Sequence, residues 1–123
     1  MPSEILVDEL KRKIEQNVVF LLDVRTPEEC GHQGVIAGSV NIPLHDLYDK
    51  IAEIPKGKEI ITICAHGNRS WTAAAILEEK GMKARSLRGG MKAWKLSSIS
   101  TESEEHALQH AEKKSWLQRF LGK

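Results

Sequence analysis

The sequence has little of several features that mark particular protein classes. It contains two cysteines, and aromatic residues make up 5% of its 123 residues. Two cysteines are too few for a disulfide scaffold, and a core built from a chain of this length already buries roughly two-thirds of the unfolded surface. The longest apolar runs, Val18–Leu22 and Ala73–Leu77, are far shorter than the roughly 20 residues that cross a bilayer. We therefore predict one globular domain without a membrane span.

No charge of one sign dominates the chain. Eighteen Lys and Arg residues face 17 Asp and Glu residues, which gives a formal net charge of +1. Such a balance provides no broad basic surface for nucleic acid. The first residues also lack the basic and apolar regions of a secretory signal. We expect a cytoplasmic protein that does not bind nucleic acid.

Strand and helix patterns alternate along the chain. Short apolar runs predict buried strands over residues 18–22, 59–63 and 83–87, with a brief strand at 39–41. Periodic apolar positions predict helices over 3–16, 43–54 and 70–80 and around Met91 and Trp94; the first is capped by Ser3 and ended by Asn17. A further short helix is predicted to begin after a capping box of Thr26 and Glu29 and to end at Gly31 and Gly34. This alternation predicts an α/β fold, a central parallel β-sheet flanked by α-helices on both faces.

The composition changes near Leu96. Residues 97–105 are polar, Ser-rich and acidic, which is typical of a linker, and residues 104–121 carry an irregular apolar stripe. We predict a domain over 1–96, followed at 97–123 by a linker and an amphipathic helix. Folding back onto the domain, homodimer formation, and contact with a partner or a membrane surface are alternative roles for this segment.

One loop combines the groups needed for nucleophilic chemistry. The segment Cys64-Ala65-His66-Gly67-Asn68-Arg69-Ser70 joins a predicted buried strand to a predicted helix, where ligands bind in open parallel sheets. Backbone N–H groups in such a loop form an anion site, and the same field favours a thiolate. Cys64 is therefore the candidate nucleophile, with an ordinary buried cysteine as the alternative.

This loop resembles the C-x-x-G-x-R-[ST] active-site loop of rhodanese-like sulfurtransferases. Three further segments are similar to family motifs in the same order. They are Leu21–Glu29 (D-V-R-x-x-x-E), Ile36–Pro43 (I-P-G-A-x-N-I-P) and Leu87–Trp94 (L-x-G-G-x-x-x-W). The resemblance covers residues 3–96 and implies the rhodanese fold.

The resemblance also implies an activity. Cys64 would carry a sulfane sulfur as a persulfide, taken from thiosulfate, a persulfide or a polysulfide and passed to the thiol of a small molecule or a protein, or to cyanide. The backbone of Ala65, His66, Gly67, Asn68, Arg69 and Ser70 would cradle the anionic donor. No cofactor or metal is implied. Ala65 stands where small members of the family often have a basic or polar residue, which weakens the case for thiosulfate as the donor.

Several other residues near this loop receive supporting roles. We expect Arg69 to hold the loop through a buried carboxylate, with Asp23 as the candidate partner, and Asp23 and Arg25 to form an ion pair at the first strand–helix turn. His66 is expected to face solvent. Cys30 is either a second thiol that resolves the persulfide or a small buried residue.

Three other functions fit parts of the sequence. Cysteine phosphatases and arsenate reductases use similar chemistry, but the phosphatase loop typically has five residues between Cys and Arg, whereas four separate Cys64 from Arg69. A rhodanese-like domain can also act as a non-catalytic binding module or a sulfur carrier. Finally, the pairs Cys30/His32 and Cys64/His66 contain zinc-ligand residue types at an unusual spacing.

Overall fold

The computed structural model describes residues 2–97 of the chain. The compact unit that carries the sheet ends at Ala93. The linker and amphipathic helix predicted for 97–123 lie, apart from residue 97, outside the described residues, so the boundary at 96 and the dimer hypothesis stay predictions. No helix within residues 2–97 is long and apolar enough to span a bilayer.

Strands and helices alternate through the described chain. The strands are β1 (Ser3–Ile5), β2 (Val19–Asp23), β3 (Val40–Asn41), β4 (Glu59–Ile63) and β5 (Ala84–Leu87). The helices are α1 (Val7–Gln16), α2 (Pro27–Gln33), α3 (Leu47–Lys50), α4 (Asn68–Glu79) and α5 (90–97), and 3-10 turns flank α3 at Leu44–Asp46 and Ile51–Glu53.

All five strands form one parallel sheet in the order β1-β5-β4-β2-β3. The connections from β1 to β2 and from β2 to β3 step toward the β3 edge, whereas those from β3 to β4 and from β4 to β5 step back. Because such connections are right-handed, α1 and α2 cover one face, and α3 and α4 cover the other. The predicted parallel sheet with helices on both faces is confirmed.

The two faces of the central strands serve different purposes. Leu22 and Ile60 pack with Ala73 and Leu77 of α4 in the main apolar core. Burying side chains of this size contributes about 1.5–3 kcal/mol each. Successive strand residues point to opposite faces, so Asp23 at the end of β2 is directed away from α4. The same strand thus supplies both the core and a buried acid.

The start of the chain differs from the prediction. Residues 3–5 form an edge strand and not the first turn of a helix, and Ser3 is not a cap because α1 begins after Leu6, which makes no side-chain cap. Pairing with β5 decides this, since the backbone of Ser3–Ile5 finds hydrogen-bond partners there and Ile5 becomes fully buried. Asn17 ends α1 in the left-handed conformation, as predicted.

The other helices agree in position but not in every boundary. The capping box of Thr26 and Glu29 is confirmed, although Gly31 lies inside α2 and only Gly34 caps it. The helix predicted over 43–54 is broken into α3 and its two 3-10 turns. Helix α4 starts at Asn68, two residues earlier than predicted, with Gly67 as its N-cap. Ser70 therefore lies within the first turn of α4.

Candidate active site

The loop after β4 occupies the functional edge of the sheet. Connections leave β2 and β4 in opposite directions, so the carboxyl ends of these neighbours form the crevice where open α/β sheets bind ligands. The ladder between them continues past the strand ends, because the Val24 N–H donates to the Ile63 carbonyl. Cys64 follows Ile63 directly and so lies at this crevice.

Cys64 is held by two polar groups of its own loop. The Gly67 N–H donates to Cys64 Sγ at 3.0 Å, and Ser70 Oγ lies 3.3 Å from the sulfur. Gly67 has φ 107°, a left-handed value that a side chain would strain. Its N–H lies at the positive N-terminal end of α4, which favours negative charge on the sulfur. The cysteine is 1% exposed.

The segment after β5 holds the loop from outside. The Met91 N–H donates to the Cys64 carbonyl at 2.8 Å, and the Lys92 N–H donates to the Ala65 carbonyl at 3.1 Å. Gly90 lies so close that a Cβ on it would overlap the Cys64 carbonyl oxygen and come within 2.7 Å of the Ala65 carbonyl oxygen. Close backbone packing therefore determines the shape of the Cys64 loop.

The predicted cradle residues differ in exposure. Gly67 and Ser70 are buried, Ala65 and Arg69 are half-buried, and His66 and Asn68 are exposed. His66 thus has the solvent-facing position expected for it. The part of the loop that contacts Cys64 Sγ comes from Gly67 and Ser70.

Arg69 does not pair with Asp23 as predicted. Its Nη1 and Nη2 donate to the two carboxylate oxygens of Glu29 at 2.7 and 2.8 Å. Asp23 is already engaged by Arg25, and Glu29 on α2 is the acid whose side chain lies beside the first turn of α4. The pair is part-buried rather than buried. Arg69 nevertheless fixes the end of the Cys64 loop through this pair.

Hydrogen bonds from Arg69 and Thr26 lower the pKa of Glu29 to about 2. A carboxylate with a depressed pKa stabilises the fold above its ordinary value of 4.5, and this contribution disappears as pH falls through about 2. Because the Arg69 side chain is 37% exposed, solvent screens the pair, and we expect a contribution of about 1 kcal/mol.

We therefore expect Glu29→Gln to lower the free energy of unfolding by about 1 kcal/mol near pH 7. Gln retains the capping-box geometry, so the change isolates the charge. Urea unfolding at several pH values should show the difference between wild type and variant shrinking as pH falls from about 4.5 toward 2. A difference that does not change with pH would contradict this assignment.

Asp23 and Arg25 form the predicted ion pair at the turn after β2. Arg25 Nη2 donates to Asp23 Oδ2 at 2.7 Å and to the Gly34 carbonyl at 2.7 Å, and Arg25 Nε donates to Asp23 Oδ1 at 3.0 Å. Both side chains are essentially inaccessible to solvent. Asn41 donates to the backbone carbonyls of Asp23 and Arg25 and so ties β3 to this turn. The pair positions α2, and with it Glu29.

Asp23→Asn should lower the free energy of unfolding by about 3 kcal/mol, because Arg25 would remain a buried cation without its counter-charge. Arg25 Nη1 already lacks a hydrogen-bond partner within the described residues. Asp46→Asn is the matched control, since the Asp46 side chain is 41% exposed and pairs with the exposed His45 at 3.5 Å; it should change stability by less than about 0.5 kcal/mol. If urea denaturation showed the same loss of unfolding free energy in Asp23→Asn and Asp46→Asn, the buried pair would have no special role.

Cys30 lies beside this pair, on α2. Burial, followed by the charge of Asp23, raises the pKa of its thiol, so Cys30 stays protonated near neutral pH. A protonated thiol is a weak nucleophile. Its role as a resolving thiol stays a prediction.

The metal alternative finds no support within residues 2–97, where no three His, Cys, Asp or Glu side chains are grouped closely enough to hold an ion. A different feature lies next to the catalytic loop. A pocket of about 300 Å³ is lined by Val24, Thr26, Pro43, Leu44, His45 and Arg69. It offers a mostly apolar surface beside the first turn of α4.

Comparison with known proteins identifies the family. The rhodanese-like domain family matches residues 6–97, which include every strand after β1, Cys64 and its loop. The chain belongs to the rhodanese-like domain family. The resemblance inferred from the four sequence motifs is confirmed.

Relatives of this rhodanese-like domain match most of its length. A sulfurtransferase of Allochromatium vinosum is 35% identical over 96 residues, which are 76% of this chain and 89% of that protein. The thiosulfate sulfurtransferase GlpE of Pseudomonas paraeruginosa is 32% identical over 73% of this chain and 82% of its own length. A crystal structure of a rhodanese-related protein from Thermoplasma volcanium superposes with a TM-score of 0.72 at 35% identity, covering 77% of this chain and 92% of that one.

Proposed function

We propose that this rhodanese-like domain is a sulfurtransferase in which Cys64 carries a sulfane sulfur as a persulfide. The observation that carries the proposal is the contact of Cys64 Sγ with the Gly67 N–H at the N-terminus of α4. A thiol in that position is set up to react as a thiolate. Two relatives that are named sulfurtransferases match most of the chain and support the same chemistry.

The first half-reaction loads the enzyme. The Cys64 thiolate attacks the outer sulfur of thiosulfate, a new S–S bond forms, and sulfite leaves with the electron pair of the broken S–S bond. Cys64 Sγ becomes neutral and sulfite leaves with two negative charges, while the outer sulfur keeps the negative charge that it had in thiosulfate. Backbone N–H groups of Ala65–Ser70 are proposed to stabilise that charge, with Arg69 adding a positive charge nearby.

The second half-reaction unloads it. An acceptor thiolate, or cyanide, attacks the outer persulfide sulfur, and the electrons of the broken bond return to Cys64. Neither half-reaction requires a redox cofactor or a metal. The pocket beside Arg69 is proposed to receive the organic part of a donor or of an acceptor thiol.

Intact-mass measurement of the full chain after incubation with a donor tests the proposal. We expect one added sulfur, removable by a reductant, after incubation with thiosulfate or with polysulfide. Thiosulfate and polysulfide are tested in separate incubations, because Ala65 provides no polar side chain to bind the thiosulfate anion. No added sulfur with either donor would refute the persulfide mechanism.

A cysteine phosphatase is the competing enzyme class, and a chromogenic aryl phosphate tests it directly. Because only four residues separate Cys64 from Arg69, we expect no turnover of that compound. Phosphatase turnover together with an unmodified mass would replace the proposed function by this alternative.

A further inference from the structure

A chain of buried hydroxyls leads from the sheet to the reactive sulfur. Ser86, on β5, is fully buried, and its Oγ lies 2.7 Å from Ser70 Oγ. Ser70 Oγ in turn lies 3.3 Å from Cys64 Sγ. Ser86 therefore reaches the sulfur through one intermediate hydroxyl.

The direction of this chain depends on whether Cys64 is a thiol or a thiolate. Each serine hydroxyl has one hydrogen to donate. Within residues 2–97, the Ser86 hydroxyl has the Ser70 hydroxyl as its hydrogen-bond partner and no other. While Cys64 is a thiol, its S–H donates to Ser70 Oγ, and either serine can donate to the other. A thiolate has no hydrogen to donate, so Ser70 must then donate to Sγ, and the hydrogen of Ser86 is the one available for Ser70 Oγ. Hydrogen bonds in such a row polarise and strengthen one another.

We propose that Ser86 is a positioning residue that directs the Ser70 hydroxyl hydrogen toward Cys64 and so favours the anionic form of the sulfur. This inference rests on Cys64 being the nucleophile of the proposed function. Ser86 does not contact the sulfur and acts only through Ser70. No sequence motif pointed to Ser86; it is brought to this position by the parallel pairing of β5 with β4.

The neighbouring strand provides a matched control. Thr62 of β4 lies opposite Ser86 in the sheet register and is also fully buried. Its hydroxyl donates to the backbone carbonyl of Ser70 at 2.7 Å. Thr62 thus holds the same residue as Ser86 but has no part in the hydroxyl chain to the sulfur. Ser86→Ala and Thr62→Val each remove one buried hydroxyl beside Ser70.

Several charged groups surround the loop and are unchanged in both variants. They are the Arg69–Glu29 pair between α4 and α2, the Asp23–Arg25 pair after β2, exposed His66 within the loop, and exposed Arg88 and Lys92 after β5. Their influence on Cys64 is common to all three proteins. A difference between variants therefore reports on the hydroxyl chain.

The test is the pH dependence of Cys64 alkylation by iodoacetamide in the full chain, without any sulfur donor, followed on the Cys64 peptide by mass spectrometry. Ser86→Ala should move the midpoint of the rate profile up by about 0.5 to 1 pH unit, which is roughly a threefold to tenfold slower reaction below the midpoint. Thr62→Val should lower stability to urea but leave the midpoint in place.

An unchanged midpoint in Ser86→Ala would overturn the proposal, and so would equal shifts in both variants, because these would reflect a general loosening of α4. Alkylation needs no sulfur transfer. Failure of the persulfide assay with a shifted Ser86→Ala profile would therefore refute the proposed function and leave the hydroxyl chain supported.

Discussion

Cys64→Ser should lower sulfur transfer by about a thousandfold or more and abolish the gain of sulfur in the intact-mass assay, because a serine hydroxyl cannot form the persulfide. The effect should lie in the chemical step. Ser is close to Cys in size and polar enough to accept the Gly67 N–H. The fold should therefore survive, and thermal unfolding of the variant should show a transition near that of the wild type.

Cys30→Ser is the control for this result. Its thiol has a raised pKa caused first by burial, so it should contribute little to the first half-reaction, and sulfur loading should stay within about twofold of wild type. Loss of loading in Cys30→Ser but not in Cys64→Ser would exchange the roles of the two cysteines. Normal loading with failed turnover in Cys30→Ser would support the resolving role predicted for it.

Gly90→Ala should lower the free energy of unfolding by about 4 kcal/mol, since it combines overpacking with a disfavoured backbone conformation. Gly90 has φ 60°, and its added Cβ would overlap the Cys64 carbonyl oxygen. Any relief must come from moving the segment after β5 away from the catalytic loop. The hydrogen bond from the Met91 N–H to the Cys64 carbonyl would then lengthen. Urea unfolding and the rate of sulfur loading should both report the damage.

Gly81→Ala separates the two causes. Gly81 also has a positive φ, 83°, but an added Cβ would meet no atom within 4 Å. Gly81→Ala should lower the free energy of unfolding by about 1 kcal/mol, the cost of the backbone conformation alone, and should retain normal sulfur loading. Similar losses in the two variants would show that contact with the Cys64 loop is unimportant.

Local patterns in the sequence were sufficient to predict much of the fold. The capping box of Thr26 and Glu29 depends on residues three positions apart, and the structure confirms it. The buried run Glu59–Ile63 was placed without error for the same reason, since a short apolar strand is defined by its own residues. By contrast, residues 3–5 carry an apolar pattern that suits a helix, and only pairing with distant β5 makes them a strand.

The candidate site shows the same division. Cys64 and its loop form one contiguous motif, which is why the sequence alone predicts them as the candidate site. The partner of Arg69 was predicted wrongly because two acids were available. Asp23 at the end of β2 is paired with Arg25, whereas Glu29 on α2 reaches Arg69. Ser86 was missed because nothing nearby in the sequence marks it. Its place beside Ser70, on which its proposed role rests, follows from the pairing of β5 with β4.

The strand order also has a consequence for synthesis of the chain. Arg85 and Glu4, which are hydrogen-bonded, are 81 positions apart in the sequence, and sheets that depend on such remote pairings fold slowly. During synthesis, β4 and Cys64 emerge from the ribosome before β5, Gly90 and Met91 emerge. The nascent polypeptide therefore exposes a thiol whose loop has nothing to hold it. The cysteine obtains its complete surroundings only after residue 91 has left the ribosome, when the first and last strands of the sheet can meet.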